Sequence, residues 1–257
     1  MTNQPQFARP AASVIVARHN PEGAPYFLMQ ERAGAMPFAG GAMVFPGGAV
    51  DPADIEHASA FAPADNLDDL AARIAVVRES IEECGLALGL AGEAMIAGRA
   101  LALRQALKSG VTLADAVEAL GLTLNFDRLI PFTRWRPPAH AVHRRYDTRF
   151  FLAVVDDVPE DMAPDGGETV RLVWRTAQEL LDEADAGRAK IIFPTRRNLE
   201  RLAQCESIAA LVAHAHAHRA DLIEPWVEVR GGIEHLCIPE GLGYPVTSEP
   251  LSNAQRI

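Results

Sequence analysis

The segment 67–85 constrains the chain more than any other. Leu70, Ile74, Val77, Ile81 and Cys84 recur there at spacings of three and four, the period of one helix face. Gly85 follows where a left-handed C-cap belongs. At roughly 100° per residue, Glu79, Glu82 and Glu83 fall together on the opposite face. The pattern predicts a helix that packs its apolar side on a sheet and turns three carboxylates away from it. As pure structure this is costly. Like charges three and four residues apart repel by roughly 0.2–0.5 kcal/mol each, and the helix dipole disfavours anions at this end. Arg78, four residues before Glu82, offsets one charge and not three. A hard divalent cation such as Mg²⁺ takes carboxylate oxygens and would relieve the repulsion. The plain alternative is a solvated acidic face.

The flanking sequence predicts a mixed fold. Residues 11–17 and 26–31 are β-prone runs around a turn-rich HNPEGAP, and they read as a hairpin. Met43-Val44-Phe45 reads as a short strand ending in Pro46-Gly47-Gly48. Residues 51–66, rich in Asp, Ala and Pro without a period, read as a loop. Two helices are expected within 91–121, the second capped by Thr112 with Asp115 in the capping-box position. Leu101, Leu103, Leu107, Leu113 and Leu120 are their expected core residues. Residues 149–155 read as a buried strand and 170–174 as another. Residues 176–186 and 195–218 are helical in pattern, and 226–238 reads as a hairpin turned at Gly231-Gly232. Strands and helices mixed in one continuous pattern predict a single α/β domain over 1–257, carrying a loop insertion at 51–66, a helical insertion at 91–128 and a C-terminal extension at 221–257.

Composition narrows the function. With 257 residues, 49% of them hydrophobic, the chain can bury a real core. A formal net charge of −10 argues against coating a nucleic-acid backbone. Cys84, Cys205 and Cys237 are scattered, with neither disulfide nor metal-ligand spacing, which points to a reducing cytosol. The opening MTNQPQFARP lacks the apolar run of a signal peptide, and no stretch reads as a membrane span. A cytoplasmic protein without a membrane partner is the expectation.

Arg78-Glu79-Ser80-Ile81-Glu82-Glu83-Cys84-Gly85-Leu86 resembles the second half of the Nudix box, with Ser80 in place of the usual aliphatic residue. In the first half Gly48 matches, while the position eight residues before the arginine, where the box carries Glu, holds Leu70. Asp68 and Asp69 are the acids nearest that position. The segment around Arg32, Phe45, Pro46, Gly47, Gly48 and Asp51 resembles the stretch before the box in the CoA diphosphatase branch of Nudix enzymes. It lacks that branch's histidine and second arginine between Arg32 and Gly41. The runs 144–151, 173–176 with Glu179-Leu180, and Pro194-Thr195 with Asn198-Leu199 look like a long, insertion-bearing subgroup. The resemblance implies a Nudix-type α/β/α sandwich with a mixed sheet and a helical insertion. It implies Mg²⁺ or Mn²⁺ held by Glu79, Glu82 and Glu83, with Arg78 orienting a box carboxylate. It also implies hydrolysis of a diphosphate in a nucleotide-containing small molecule, first among them CoA or acyl-CoA. NADH or ADP-ribose is the alternative, and a non-catalytic nucleotide-binding regulator a third reading. A homodimer is the default assembly of such relatives. Glu168, in the turn DGGETV, is the candidate general base; the same position also reads as a plain exposed turn acid.

Substrate contacts are expected from Arg32, from the backbone at Gly47 and Gly48, and from the basic run Arg134, Arg136, His140, His143, Arg144 and Arg145. That run fits a second phosphate group, such as the 3′-phosphate of CoA, and Trp135 fits stacking on a base. It equally fits a loop whose arginines pair with acids.

Overall fold

The computed structural model describes residues 7–36, 39–61, 66–91, 98–138 and 145–254. The chain opens with β1 (Arg9–Arg18) and β2 (Tyr26–Arg32), the antiparallel hairpin that the β-prone runs predict. Then follow β3 (Met43–Val44), β4 (Gly47–Ala49), α1 (Pro52–Ser59) and α2 (Leu67–Glu79), which runs into a π-helical turn over Ser80–Cys84. The insertion contributes β5 (Leu90–Ala91), α3 (Arg99–Lys108), α4 (Leu113–Ala119) and β6 (Thr123–Leu124). After it come β7 (Ile130–Trp135), β8 (Tyr146–Val155), β9 (Thr169–Thr176), α5 (Ala177–Asp185), α6 (Phe193–Leu202) and α7 (Ile208–Ala217). The chain closes with β10 (Leu222–Ile223), the β11 (Trp226–Arg230) and β12 (Ile233–Cys237) hairpin, β13 (Ser248–Pro250) and α8 (Leu251–Ala254).

The main sheet is mixed and runs β10-β7-β8-β1-β2-β3, with β4 also paired to β1 and β9 to β2. The β1–β8 and β10–β7 pairs are parallel; the others are antiparallel. Strand β1 lies at the centre and is buried on both faces, which is why Val14-Ile15-Val16-Ala17 reads as a continuous apolar run. Its alternation divides the core in two. Ala12, Val14 and Val16 join Ile74, Val77 and Ile81 of the α2 segment on one face. Ile15 and Ala17 join Leu180, Leu199, Leu202 and Leu211 of α5, α6 and α7 on the other. Helices therefore cover both faces, as expected. Among the described residues no helix is long and apolar enough to cross a membrane.

Three expectations need correction. Residues 52–59 form α1 rather than a loop. Pro52 sits in its first turn with φ preset for a helix, and the Asp54 carboxylate accepts from the Asp51 N–H at 2.9 Å, half of a capping box. The caps start this helix without the long apolar period by which helices are read. The pattern over 195–218 is two helices, because the Ser207 hydroxyl accepts from the Ala210 N–H and starts α7 anew. In the insertion Thr112 caps α4 as predicted, and Leu103, Leu107 and Leu113 are buried. Leu101 instead points outward, 46% exposed.

Candidate active site

The C-terminal end of α2 meets Gly47 and Gly48 of β4. A Cβ on Gly48 would overlap the Glu79 carboxylate, and one on Gly47 would strike the β1 backbone at Ala12 and Ser13. The glycines thus let the protein's own groups approach. Gly47 then donates its N–H to Glu83 Oε2 at 2.9 Å.

Glu83 departs from the predicted geometry. The π-helical turn adds a residue to the turn and rotates Glu83 inward, so only 5% of it is exposed. The turn ends at Gly85, whose φ of 72° suits glycine, and the Leu86 N–H reaches back six residues to the Ser80 carbonyl at 3.0 Å. Gln30 of β2 donates Nε2 to Glu83 at 2.8 Å. The orientation of that amide is fixed because its Oε1 accepts from Thr169 at 3.1 Å and from the buried Cys84 thiol at 3.7 Å. Cys84 is the buried small hydrophobe that its place on the stripe predicts.

Arg78 organises the other two carboxylates. Its Nη1 donates to Glu79 Oε1 and to Glu82 Oε2, both at 2.9 Å. Its far side grips Asp54, Nε to Oδ1 at 3.1 Å and Nη2 to Oδ2 at 2.9 Å, and Nη2 also reaches the Ala49 carbonyl. Asp54 is 2% exposed. Sequence reasoning missed this acid because it counted backward from Arg78 to Leu70. Counted forward from Gly48, Asp54 falls six residues on, and the extra residues lie after it. Asp68 and Asp69 do not take the role: Asp69 pairs with Arg73 at 2.6 Å and Asp68 faces Arg149 at 3.9 Å.

A second unpredicted residue comes from the insertion. Arg104 of α3 donates to the carbonyls of Glu82 at 3.0 Å, Glu83 at 3.2 Å and Ala163 at 2.8 Å. It satisfies backbone acceptors that a wide turn leaves open. Nothing in the local sequence signals this contact, which spans about twenty residues of chain.

Arg32, at the end of β2, lies 3.9 Å from Glu83 Oε1 and 3.7 Å from Glu168 Oε2. Its buried Nε has no hydrogen-bond partner among the described residues. Glu168 is exposed on the far side of Arg32, directly before β9. The structure therefore brings Arg32, Gly47, Gly48, Arg78, Glu79, Glu82, Glu83 and Glu168 together.

The basic run is not part of this group. In the sheet Gly48 lies opposite Ala12, Ala12 beside Arg149, and Arg149 opposite Arg134. Arg134 is thus three strand spacings, about 14 Å, from Gly48. It makes a bidentate pair with Asp147 at 2.6 and 2.8 Å. Arg136 pairs with Glu224, and Arg145 approaches Glu224 and donates to the Pro137 carbonyl. These arginines follow the reading in which they meet acids. Trp135 is buried, donating Nε1 to the Tyr244 hydroxyl, so it does not present a face to a base. His140, His143 and Arg144 lie outside the described residues.

Electrostatically the group is short of positive charge. Burial, with the neighbouring charge of Glu82 working in the same sense against Arg78, raises the Glu79 carboxyl to about 7. Burial, with Glu79 beside it, raises Glu83 to about 8 against its Gly47 and Gln30 hydrogen bonds. Arg78 is held firmly charged: burial opposes its charge, but Asp54, Glu79 and Glu82 outweigh that. Among the described residues no three His, Cys, Asp or Glu side chains are arranged around a common metal position. Glu79 and Glu82 each direct an oxygen at Arg78, and Glu83 directs one at Gly47 and Gln30. The donor set is nonetheless all carboxylate oxygen, and uncompensated anionic charge is what a hard divalent cation corrects.

Residues 61–202, more than half of the chain, match the NUDT19 Nudix domain family. A Caenorhabditis elegans protein assigned as nudix hydrolase 7 is 32% identical over 198 residues. The match covers 76% of this chain, and the chain spans 61% of that relative's length. The crystal structure of a Nudix hydrolase from Alicyclobacillus acidocaldarius superposes with a TM-score of 0.68 at 27% identity, covering 80% of this chain and 96% of that one. The fold, the carboxylate turn and these matches agree that the chain belongs to the Nudix hydrolase family.

Proposed function

We propose that the protein hydrolyses the diphosphate linkage of a nucleotide-containing substrate, with CoA or acyl-CoA as the first candidate. The observation that carries the reading is the carboxylate turn: Glu83 is buried and Glu79 half-buried against Gly47-Gly48 at a cost in ionisation, and Glu82 flanks them. Nudix hydrolases generally use divalent metals, and these three carboxylates would hold Mg²⁺ or Mn²⁺ here. Such a metal would supply charge neutralisation at the diphosphate and a lowered pKa for water at the site.

The chain's own residues supply positioning and proton transfer. Arg78, fixed by Asp54, aims Glu79 and Glu82. Gln30 and the Gly47 N–H aim Glu83. Arg32, between Glu83 at 3.9 Å and Glu168 at 3.7 Å, would offer its guanidinium to a phosphate oxygen. Glu168 accepts the proton of the attacking water. The water oxygen bonds to one phosphorus, the bridging P–O bond breaks, and the second phosphate leaves. The CoA choice rests on the sequence resemblance around Arg32 and Phe45-Pro46-Gly47-Gly48; the paired state of Arg134 and Arg145 lends it nothing.

The test is a panel of CoA, acyl-CoA, NADH, ADP-ribose and nucleoside triphosphates with Mg²⁺ or Mn²⁺, read by mass spectrometry. CoA species should be cleaved to an adenosine bisphosphate and a phosphopantetheine product, with Glu82→Gln slower by about a hundredfold or more. Cleavage of NADH or ADP-ribose alone would discard CoA and keep the mechanism. Cleavage of nothing, or a fully active Glu82→Gln variant, would discard the hydrolase reading.

A further inference from the structure

A cavity of about 160 Å³ opens beside the carboxylate turn, between α1, α2 and the α3–α4 insertion. Arg78 and Glu82 line one side, so the cavity borders the group described above. Ile74, Leu107, Val111 and Leu113 supply apolar wall, three of these four from the insertion. Asp51 and Asp54 lie on the same side as Arg78. His57 also lines it, and its Nδ1 has no hydrogen-bond partner among the described residues.

We infer that this cavity receives the uncharged organic arm that a diphosphate substrate carries on one side of its phosphates, and that the insertion exists to wall it. The inference rests on the diphosphate reading proposed above and adds to it what the substrate must look like on one side. Three observations carry it. Arg78 and Glu82 belong to both places, so a substrate with its phosphates at the carboxylates has its next atoms at the cavity mouth. The lining acids Asp51, Asp54 and Glu82 outnumber its one arginine, Arg78, so a further phosphate is disfavoured there relative to an uncharged group. The volume is that of a cavity that holds a benzene-sized group, on the order of 150 Å³, so the arm enters with about six heavy atoms.

The experiment uses two adenosine diphosphate esters that differ only in the β-phosphate substituent, methyl or n-hexyl. The wild-type protein should prefer the hexyl ester by about tenfold or more in kcat/KM, the discrimination that two buried methylenes supply. Val111→Trp and Ala114→Trp, both at residues that line the cavity, should fill it and bring the hexyl ester down to the methyl value, leaving the methyl ester within about twofold. Val111 is 39% exposed at the rim, so its replacement leaves the core intact. Binding of n-hexanamide, followed by saturation-transfer NMR, reads the cavity without turnover. Its loss in Val111→Trp supports the site even if neither ester is cleaved, a result that would sink only the hydrolase reading. A wild-type protein that neither prefers the hexyl ester nor binds hexanamide, or variants that keep both properties, would overturn the inference.

Discussion

Replacing Asp54 by alanine removes the anchor on which Arg78 depends. The wild-type carboxylate takes two hydrogen bonds from the guanidinium and one from the Asp51 N–H, at 2.9 to 3.1 Å, with 2% of the residue exposed. Removing one partner of a buried ion pair costs about 3–5 kcal/mol. Arg78 keeps Glu79, Glu82 and the Ala49 carbonyl, so the loss belongs at the lower end of that range. The capping contact at the start of α1 contributes about 1 kcal/mol on its own, overlapping rather than adding. A total near 3 kcal/mol corresponds to a drop of roughly 10 °C in melting temperature for a domain of this size. Asp54→Asn keeps the shape and one acceptor and should lose about half as much. Urea unfolding followed by far-UV circular dichroism measures both. Activity should fall further than stability, since a freed Arg78 no longer holds Glu79 and Glu82 in register. An Asp54→Ala midpoint equal to wild type would refute the claim that this acid anchors the turn.

Other consequences can be checked independently. Arg104→Leu strips three backbone carbonyls of a charged donor. At about 1.5–3 kcal/mol per such bond before relaxation, it should destabilise the chain and lower kcat with little change in KM; unchanged kcat would mean that the insertion does not support the turn. Gly48→Ala places a methyl against Glu79; it should cost about 1–3 kcal/mol and most of the activity, and an active, stable variant would contradict the close approach. The pH dependence has a definite sign. Glu79 and Glu83 stand at about 7 and 8 when folded against 4.5 as their ordinary value, so the folded state binds more protons than the unfolded one across that window. Stability of the metal-free protein is then full below pH 4.5 as far as these groups go, and falls as pH rises through 7 and 8. His57 and His214 are lowered by burial and act in the opposite sense only below 6.5. Urea midpoints in a chelator should therefore decline between pH 6.5 and 8.5, and Glu83→Gln should flatten the decline; a rise over that interval would refute the assignment.

Legibility in the sequence followed the range of the interaction. The apolar stripe of α2, the β1–β2 hairpin, the Thr112 cap and the Gly231-Gly232 hairpin are encoded by residues a few positions apart, and all were readable. The inward turn of Glu83 was not, because a π-helical turn is decided by what its ends bond to. Here these are the Gly47 N–H, thirty-six residues away, and Gln30, fifty-three away. The same holds for Arg104. The basic run left two readings open for the complementary reason. Density of arginine is visible in sequence, but Asp147 and Glu224, which meet the guanidinium groups, become neighbours only through the β7–β8 and β10–β7 pairings.

Asp54 shows how a motif can survive the loss of its spacing. The contact that matters is spatial: a carboxylate at the start of one helix meeting a guanidinium near the end of the next. α1 and α2 pack side by side, with Asp54 on the first turn of α1 and Arg78 on the last turn of α2. Extra residues between the two helices lengthen only the connection at their far ends. Closing a longer connection costs little, about 0.6 kcal/mol per doubling of length, whereas losing the buried pair costs several times that. Chain can therefore be inserted after Asp54 while the Gly48–Asp54 spacing and the Arg78–Glu83 turn stay fixed. Deleting residues 62–65 and closing the helices with a short glycine linker should leave the Asp54–Arg78 pair, and the sensitivity of stability to Asp54→Ala, intact. A deletion variant in which Asp54→Ala no longer matters would show that the connection, and not the two helices, sets the pair.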